Sequence, residues 1–465
     1  MESKRISHTA QLLISAYNIS MFGLVWVLYY NGYAFQKFAL PGAVTAVVIY
    51  AIIYYALCEL YRSFKIASSS IAETVLSQVI SFGIADLLLY VVCCLVANNY
   101  VNILPGVLTV VVQLVGSIVL VWAVKRIMTT CIKAADTVIV CGDDISSQEM
   151  GLYIDKLCEK YSHLFDIKAI VKESQMPVDK LGNRERYSTV MLYEVSSGYK
   201  GAAIKHCIET DQNIYFTPSV EDILIANCEP RHLLDTPLMK YDYTYRSTMT
   251  AVVKRVIDVV VSLVGIIVTS PIMLITAIAI KLEDKGPAIF KQKRCSLGGK
   301  EFNIYKFRSM TVAQEKEGVK LATVGDNRIT KVGKVIRKFR IDELPQMFNI
   351  LFGHMSIVGP RAMSSGIVAE CTEVLPEFAL RARVKAGLTG YAQVYGKYNT
   401  TPYDKLKLDL HYIEHYSFWL DIKLILMTFK IIFDKENTEG VEKDQKTATI
   451  TKDVLREKRN LEDNN

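Results

Sequence analysis

Four apolar stretches open the chain, at about Leu12–Tyr30, Pro41–Leu60, Val75–Val96 and Leu104–Val124. Each approaches the roughly 20 residues that span a bilayer core as a helix. The pattern therefore predicts four transmembrane helices within residues 9–126. Asp86, inside the third stretch, must face a partner helix or the headgroup region. No small-residue cleavage pattern closely follows the first stretch, so no cleaved signal peptide is expected. Lys4, Arg5, Arg62, Lys65, Lys125, Arg126 and Lys133 flank the stretches on one side, whereas the first loop carries only Lys37 and Asn98–Asn102 is uncharged. The positive-inside rule then places the N-terminus and everything after Lys125 in the cytoplasm.

The pattern next changes period. Thr137–Cys141 and Phe165–Val171 read as strands around an amphipathic helix at Ser146–Tyr161, and Tyr187–Tyr193, Lys200–Glu209 and Asn213–Phe216 continue the alternation. This predicts a small parallel α/β module, Rossmann-like, over 134–246. The turn after its first strand has one glycine, Gly142, followed by Asp143 and Asp144. A dinucleotide fingerprint needs several glycines and no acids there, so dinucleotide binding is not expected. A fifth apolar run, 252–282, differs from the first four. It is broken by Ser270-Pro271 and has basic residues at both ends, Lys254 and Arg255 before it and Lys281 and Lys285 after it. Proline removes a helix hydrogen bond, and the charge rule wants both flanks in the cytoplasm. A helix that enters and leaves on one side, a re-entrant helix, satisfies both constraints. A soluble unit extends to 433, and the polar stretch 434–465 is expected to be disordered.

Composition narrows this picture. Of 465 residues, 51% are hydrophobic and 22% charged, which excludes a disordered chain and one apolar throughout. Ten cysteines form no CxxC pair, so they read as reduced and structural. The net charge is +7, yet Lys281–Pro345 alone holds 16 Lys and Arg against 8 Asp and Glu. One segment carries the whole excess, as a site for phosphates does.

Five clusters follow the fifth run: Asp284–Arg294, Tyr305–Met310, Arg337–Gln346, Gly353–Arg361 and Gly387–Val394. In the third, Asp342 and Glu343 are adjacent acids behind Arg337, Lys338 and Arg340. Nearby Arg favours ionised carboxylates, which attack phosphorus or hold Mg²⁺. Pro345 fits the first turn of a helix, placing the pair near its N-terminus. Adjacent helical residues diverge by about 100°, so the two acids have different roles. Lys306 and Arg308, two apart, share a strand face and suit a diphosphate. Arg361 follows the rigid Gly359-Pro360, and its fork suits phosphate. Gly387 and Gly390 suggest a tight turn carrying Tyr391 and Gln393, either towards a ligand or for packing. His354 has no partner at metal spacing and reads as structural.

Together and in this order, the clusters resemble the bacterial sugar transferase family, the monotopic phosphoglycosyl transferases, over roughly 250–433. The layout of the whole chain is similar to the family's long form. The resemblance implies a re-entrant helix broken at Ser270-Pro271 and a catalytic Asp342-Glu343 dyad with Mg²⁺, in which the Asp is the nucleophile. The residues expected to bind substrate are Lys293, Arg294, Lys306, Arg308, Arg340, Arg361 and Gln393. Two positions depart from the family pattern: Ala362 and Ala386 stand where proline is usual.

The expected function is transfer of a sugar-1-phosphate from a nucleoside diphosphate sugar to polyprenyl phosphate, at the bacterial inner membrane, with the catalytic domain facing the cytoplasm. A homodimer is allowed, and nucleic acid is not an expected partner. The alternative is a non-catalytic scaffold binding anionic lipid, for which two acids within a basic cluster have no use. A transporter is a weaker rival, because Asp86 is the one clearly ionisable residue deep in the first four runs.

Overall fold

The computed structural model describes residues 2–33, 40–66, 69–131, 133–233, 235–242, 248–310, 329–396 and 400–432. The expected disordered tail, 434–465, lies outside them. The chain divides into two compact units at Thr217–Pro218.

The first unit opens with α1 (Glu2–Leu28), α2 (Leu40–Leu60), α3 (Ile71–Ala97) and α4 (Leu104–Cys131). All are long and apolar enough to cross a membrane. Their packing inverts the soluble rule. Leu12, Val48, Leu87 and Val111 face outward, while Asn18, Gln78, Gln113 and Ser117 are buried. Asn18 Nδ2 donates to Tyr54 Oη at 3.1 Å, Tyr54 Oη to Gln78 Oε1 at 2.6 Å, and Gln113 Nε2 to Tyr50 Oη at 3.0 Å. Lipid gives apolar helices no reason to associate, so polar contacts of this kind hold them. Asp86 turns its carboxylate oxygens inward among them.

The α/β part follows as β1 (Ala135–Cys141), α5 (Ser147–Tyr161), β2 (Phe165–Lys172), β3 (Thr189–Tyr193), α6 (Ser197–Glu209) and β4 (Asn213–Phe216). The sheet is parallel, in the order β2-β1-β3-β4. Val138, Ile139 and Val140 on the central strand are fully buried, as strands covered on both faces require. At the head of α6, where a phosphate would dock, Ser196 N donates to the Glu173 carboxylate at 2.8 Å. An internal anion thus fills that position.

The second unit begins with α7 (Val220–Ile225) and the antiparallel pair β5 (Glu229–Leu233) and β6 (Thr236–Lys240). The sequence reading carried the α/β module to 246, but packing assigns these residues to the second unit. Val220 and Ile223 join its core. Asn227 and Tyr241 both donate to Glu414, at 3.0 Å each, and Arg383 pairs with Glu414 at 2.9 Å.

Next come α8 (Thr248–Asp284), β7 (Ile289–Cys295), β8 (Glu301–Phe307), α9 (Lys331–Lys338), α10 (Gln346–Leu351), β9 (Ser356–Val358), α11 (Ser365–Val374), β10 (Gly387–Thr389), α12 (Tyr391–Tyr395), α13 (Pro402–Glu414) and α14 (Phe418–Ile432). Strands β7 and β8 pair antiparallel, β9 and β10 parallel. Ile350, Met355, Phe378, Leu406, Leu410 and Leu424 form the centre of the core.

Helix α8 is also long and apolar enough to cross a membrane. It continues through Pro271. Proline deprives the carbonyl four residues back, that of Ile267, of its donor. Ser270 Oγ donates to that carbonyl at 2.8 Å, and the helix is not broken at Ser270-Pro271, where the sequence predicts a break. Both ends of α8 are fastened to the second unit. Near its start, Lys254 pairs with Asp421 at 2.5 Å, Arg255 donates to the carbonyls of Ile350 and Leu351, and Asp258 accepts from Ile357 N at 2.9 Å. Near its end, Ile280 packs on Phe307 and Ile336. Glu283 accepts from Lys331 N at 2.7 Å and Val332 N at 3.0 Å, satisfying two of the orphan donors that open α9.

Candidate active site

Helix α9 ends at Lys338, and two residues on Arg340 has a φ of 54°, in the left-handed region. A non-glycine residue there costs roughly 1–2 kcal/mol. The reversal throws the chain into a 3₁₀ turn, Ile341–Glu343, and Pro345 then leads into α10. The two acids thus sit in a turn just before the N-terminus of α10, and Pro345 caps that helix instead of standing in its first turn. The tight turn sends their side chains to different partners.

Glu343 is the hub. Its Oε1 accepts from Lys306 Nζ at 3.1 Å and from Arg361 Nη2 at 2.9 Å, and Arg340 Nη1 lies 4.0 Å from Oε2. Burial alone would raise its pKa, but Lys306, Arg361 and Arg340 outweigh burial and hold the carboxyl well below the usual range. Burial in turn lowers Lys306, only partly offset by Glu343. Asp342 is half-buried, and among the described residues none hydrogen-bonds or pairs with its carboxylate. Burial, then the charge of Glu343, push it up to about 6, against the pull of Lys306, Arg337 and Arg361. One acid is a clamped anion, and the other is an available one.

Strand periodicity explains how the cations converge. Lys306 pairs with Phe290 and Arg294 with Phe302 across β7–β8, so Arg294 and Lys306 share a face. They line one small pocket with Gln346, Arg361 and Gly387. Burial and Arg361 lower Arg294 to about 10. Lys293 falls on the opposite face, in an exposed pair with Glu301 at 3.3 Å. Arg308 lies past the strand end, buried against Gly286. Gln393 Nε2 donates to the Leu388 carbonyl at 2.9 Å. The His354 ring stacks on Phe302 at 6.1 Å, a packing role.

Arg361 is aimed by backbone. Gly359 N donates to Thr389 O and Gly387 N to Pro360 O, each at 2.9 Å. A Cβ on Gly359 or Gly387 would run into the opposing main chain. The Gly-Pro-Arg turn and the Gly387–Val394 cluster are therefore one piece. Their glycines serve close approach.

Among the described residues no group of three or more His, Cys, Asp and Glu side chains could cage a metal. Mg²⁺ commonly takes one or two carboxylates and fills its shell with substrate phosphates and water. Asp342, with an unengaged carboxylate, fits that use. Glu343 fits it less well, since its Oε1 already holds both Lys306 and Arg361.

Residues 249–435 match the profile of the bacterial sugar transferase family. Over 222 residues the chain is 39% identical to the UDP-N-acetylgalactosamine-undecaprenyl-phosphate N-acetylgalactosaminephosphotransferase of Aeromonas hydrophila, covering 47% of this chain and 52% of that protein. It is 34% identical over 296 residues to a UDP-glucose:undecaprenyl-phosphate glucose-1-phosphate transferase of Klebsiella pneumoniae, covering 61% and 62%. A Caulobacter vibrioides protein of the same description is 40% identical over 189 residues, covering 40% of this chain and 71% of the relative. The chain thus spans about half to three fifths of the first two relatives and more than two thirds of the third. The chain belongs to the bacterial sugar transferase family.

Proposed function

We propose that this protein transfers a sugar-1-phosphate from a UDP-sugar to undecaprenyl phosphate, starting a lipid-linked glycan for exopolysaccharide, capsule or O-antigen. The observation that carries this reading is the asymmetry of the dyad. Asp342 has an available carboxylate beside a Glu343 saturated by cations. In the first step an Asp342 oxygen bonds to the sugar-bearing phosphorus, the phosphoanhydride bond breaks, and UMP leaves with the electron pair. In the second, the lipid phosphate oxygen displaces Asp342 from that phosphorus and restores the carboxylate. Lys306, Arg340 and Arg361 offset the charge of the phosphates, and Arg361 offers a fork to a diphosphate. Mg²⁺, held by Asp342 and the substrate phosphates with Glu343 alongside, would supply further charge neutralisation. Detergent-purified protein incubated with a panel of UDP-sugars and polyprenyl phosphate tests the reading through UMP release. Binding of anionic lipid without UMP release from any sugar would leave the scaffold alternative.

The donor is cytoplasmic and the acceptor is lipidic, so the dyad must sit at their boundary. We place α1–α4 across the bacterial inner membrane and read α8 as re-entrant, with the catalytic unit in the cytoplasm. The anchoring of α8 supports this. Its buried positions are Lys254, Asp258 and Ser262 near one end and Thr276 and Ile280 near the other. The stretch between Ser262 and Thr276 rises only about 20 Å as a helix, short of the roughly 30 Å hydrocarbon core. A crossing would also pull the two ends, both fastened to one folded unit, to opposite faces. Cysteines introduced at Thr250 and Glu301 are expected to label only from the cytoplasm. Labelling of Glu301 from outside would mean a true crossing, with the dyad out of reach of nucleotide sugars.

The pKa of Asp342 sets a pH dependence. A nucleophile must be ionised, and Asp342 protonates as pH falls through about 6. The kcat/KM profile of the free enzyme is therefore expected to hold above pH 7 and fall tenfold per unit below about 6. A limb at ordinary carboxylate pH, near 4, would remove Asp342 from the role.

A further inference from the structure

The Arg361 side chain is 47% exposed and meets Glu343 through a bond of 2.9 Å. Pro360 fixes its own φ, but Arg361 and Ala362 carry no such restraint. The carbonyls of this loop are instead caught one after another. Arg381 Nη2 donates to Arg361 O at 3.3 Å, Arg294 Nη1 to Ala362 O at 3.4 Å, and Cys295 N to Met363 O at 2.9 Å. Arg381 also sets Nη1 against the Met363 sulfur, so it grips the loop on both sides of Ala362.

Arg381 comes from the 3₁₀ segment Pro376–Arg383 and is itself fixed. Its Nε and Nη2 donate to Oδ2 of Asp409, on α13, at 3.1 and 2.6 Å, and its guanidinium lies 4.8 Å over the Phe378 ring. The Arg381 side chain is 9% exposed and that of Asp409 1%. An ion pair buried this deeply adds little stability over apolar side chains of like volume. What it supplies is direction. A planar fork engages the carboxylate and the loop carbonyl in one fixed geometry, which an ammonium on a flexible stem does not match.

We propose that Arg381, fixed by Asp409, is a positioning residue: it holds the Arg361 main chain so that the Arg361 guanidinium meets Glu343 and a substrate diphosphate together. Arg381 acts through Arg361 and not on the phosphates itself. This deepens the transferase reading and, for its effect on turnover, rests on it.

The test uses the full chain in detergent and the variant Arg381→Lys, which keeps a charge for Asp409 and loses the fork. Hydrogen exchange of the amides in 356–363 is the first readout. The expected result is faster exchange there, with the rest of the second unit unchanged. Unchanged exchange in 356–363, or exchange raised throughout the unit, would overturn the proposal. This arm needs no turnover, so it decides the grip on the loop even if no UDP-sugar yields UMP, a result that would sink the transferase reading alone. The second readout is single-turnover UMP release in two backgrounds. In the otherwise native chain, Arg381→Lys lowers the rate about ten- to a hundredfold, the effect of a misplacement near 1 Å. Combined with Arg361→Lys, whose flexible ammonium depends less on the aim of the main chain, the same change costs less than about threefold, because the two residues act in series. Equal losses in the two backgrounds would make Arg381 an ordinary core residue and overturn the proposal. Should Arg381→Lys not melt cooperatively, Arg381→Met with Asp409→Val, which removes both charges, takes its place in both arms.

Discussion

Asp342→Asn is expected to reduce single-turnover UMP release at least a thousandfold while leaving the protein as stable as before, or more so. The amide matches the carboxylate in shape but carries no charge with which to attack phosphorus. The stability half follows from linkage. The pKa of Asp342 in the folded protein is raised above its ordinary value, so the fold disfavours its ionised form. That penalty is present at neutral pH and disappears as pH falls below the unfolded value of about 4. Removing the charge removes the penalty, so the variant melts at or above the wild type at pH 7.5. Such opposition between stability and activity marks a strained functional group. Near-wild-type UMP release by Asp342→Asn would sink the covalent mechanism.

Glu343→Gln is expected to fail in the opposite manner, losing both stability and turnover. The side chain is 13% exposed and neutralises Lys306, itself 20% exposed, together with Arg361. The lowered pKa of Glu343 means that its stabilising contribution is complete above about pH 4.5 and is lost only as pH falls through the folded value. At neutral pH the glutamine variant forfeits all of it. Breaking a buried pair by removing one partner costs about 3–5 kcal/mol, or roughly 10 °C in melting temperature for a unit of this size. A double variant, Glu343→Gln with Lys306→Met, removes the stranded cation as well and is expected to melt above the single variant. If the single variant melts like the wild type, Glu343 is not what holds the cations in place.

The sequence exposed those features that are local in the chain. The long apolar helices follow from run length, the adjacent acids stand out from a basic segment, and Ser270 lies beside the carbonyl that Pro271 orphans. The differing roles of the two acids followed from adjacency, but which would be clamped depended on Lys306 and Arg361, which lie 37 and 18 residues away. Lys293 and Arg294 look equivalent as neighbours, and only the strand pleat separates them. The Gly387–Val394 cluster left Gln393 open between a ligand and packing, and its glycines pack main chain on main chain. Arg381 and Asp409 gave no signal beyond ordinary helix charges. Their meaning arises from a contact to the Arg361 carbonyl that spans 20 residues. Residues 218–242 show the same limit, since periodicity reports an element's type and not which core it joins.

The carboxylate of Glu283 that opens α9 has a mechanical implication. Helix α9 runs directly into the Arg340 reversal and the dyad, so the last turn of α8 and the Asp342 carboxylate are linked by one short helix. If α8 is seated in lipid as proposed, the height of Asp342 above the hydrocarbon follows the depth at which α8 settles. That depth responds to acyl-chain length, because a helix and a bilayer of different thickness adjust to each other at a fraction of a kcal/mol per ångström. On the proposed transferase reading, membrane thickness would become a variable of the chemical step, through the distance between the lipid phosphate and Asp342.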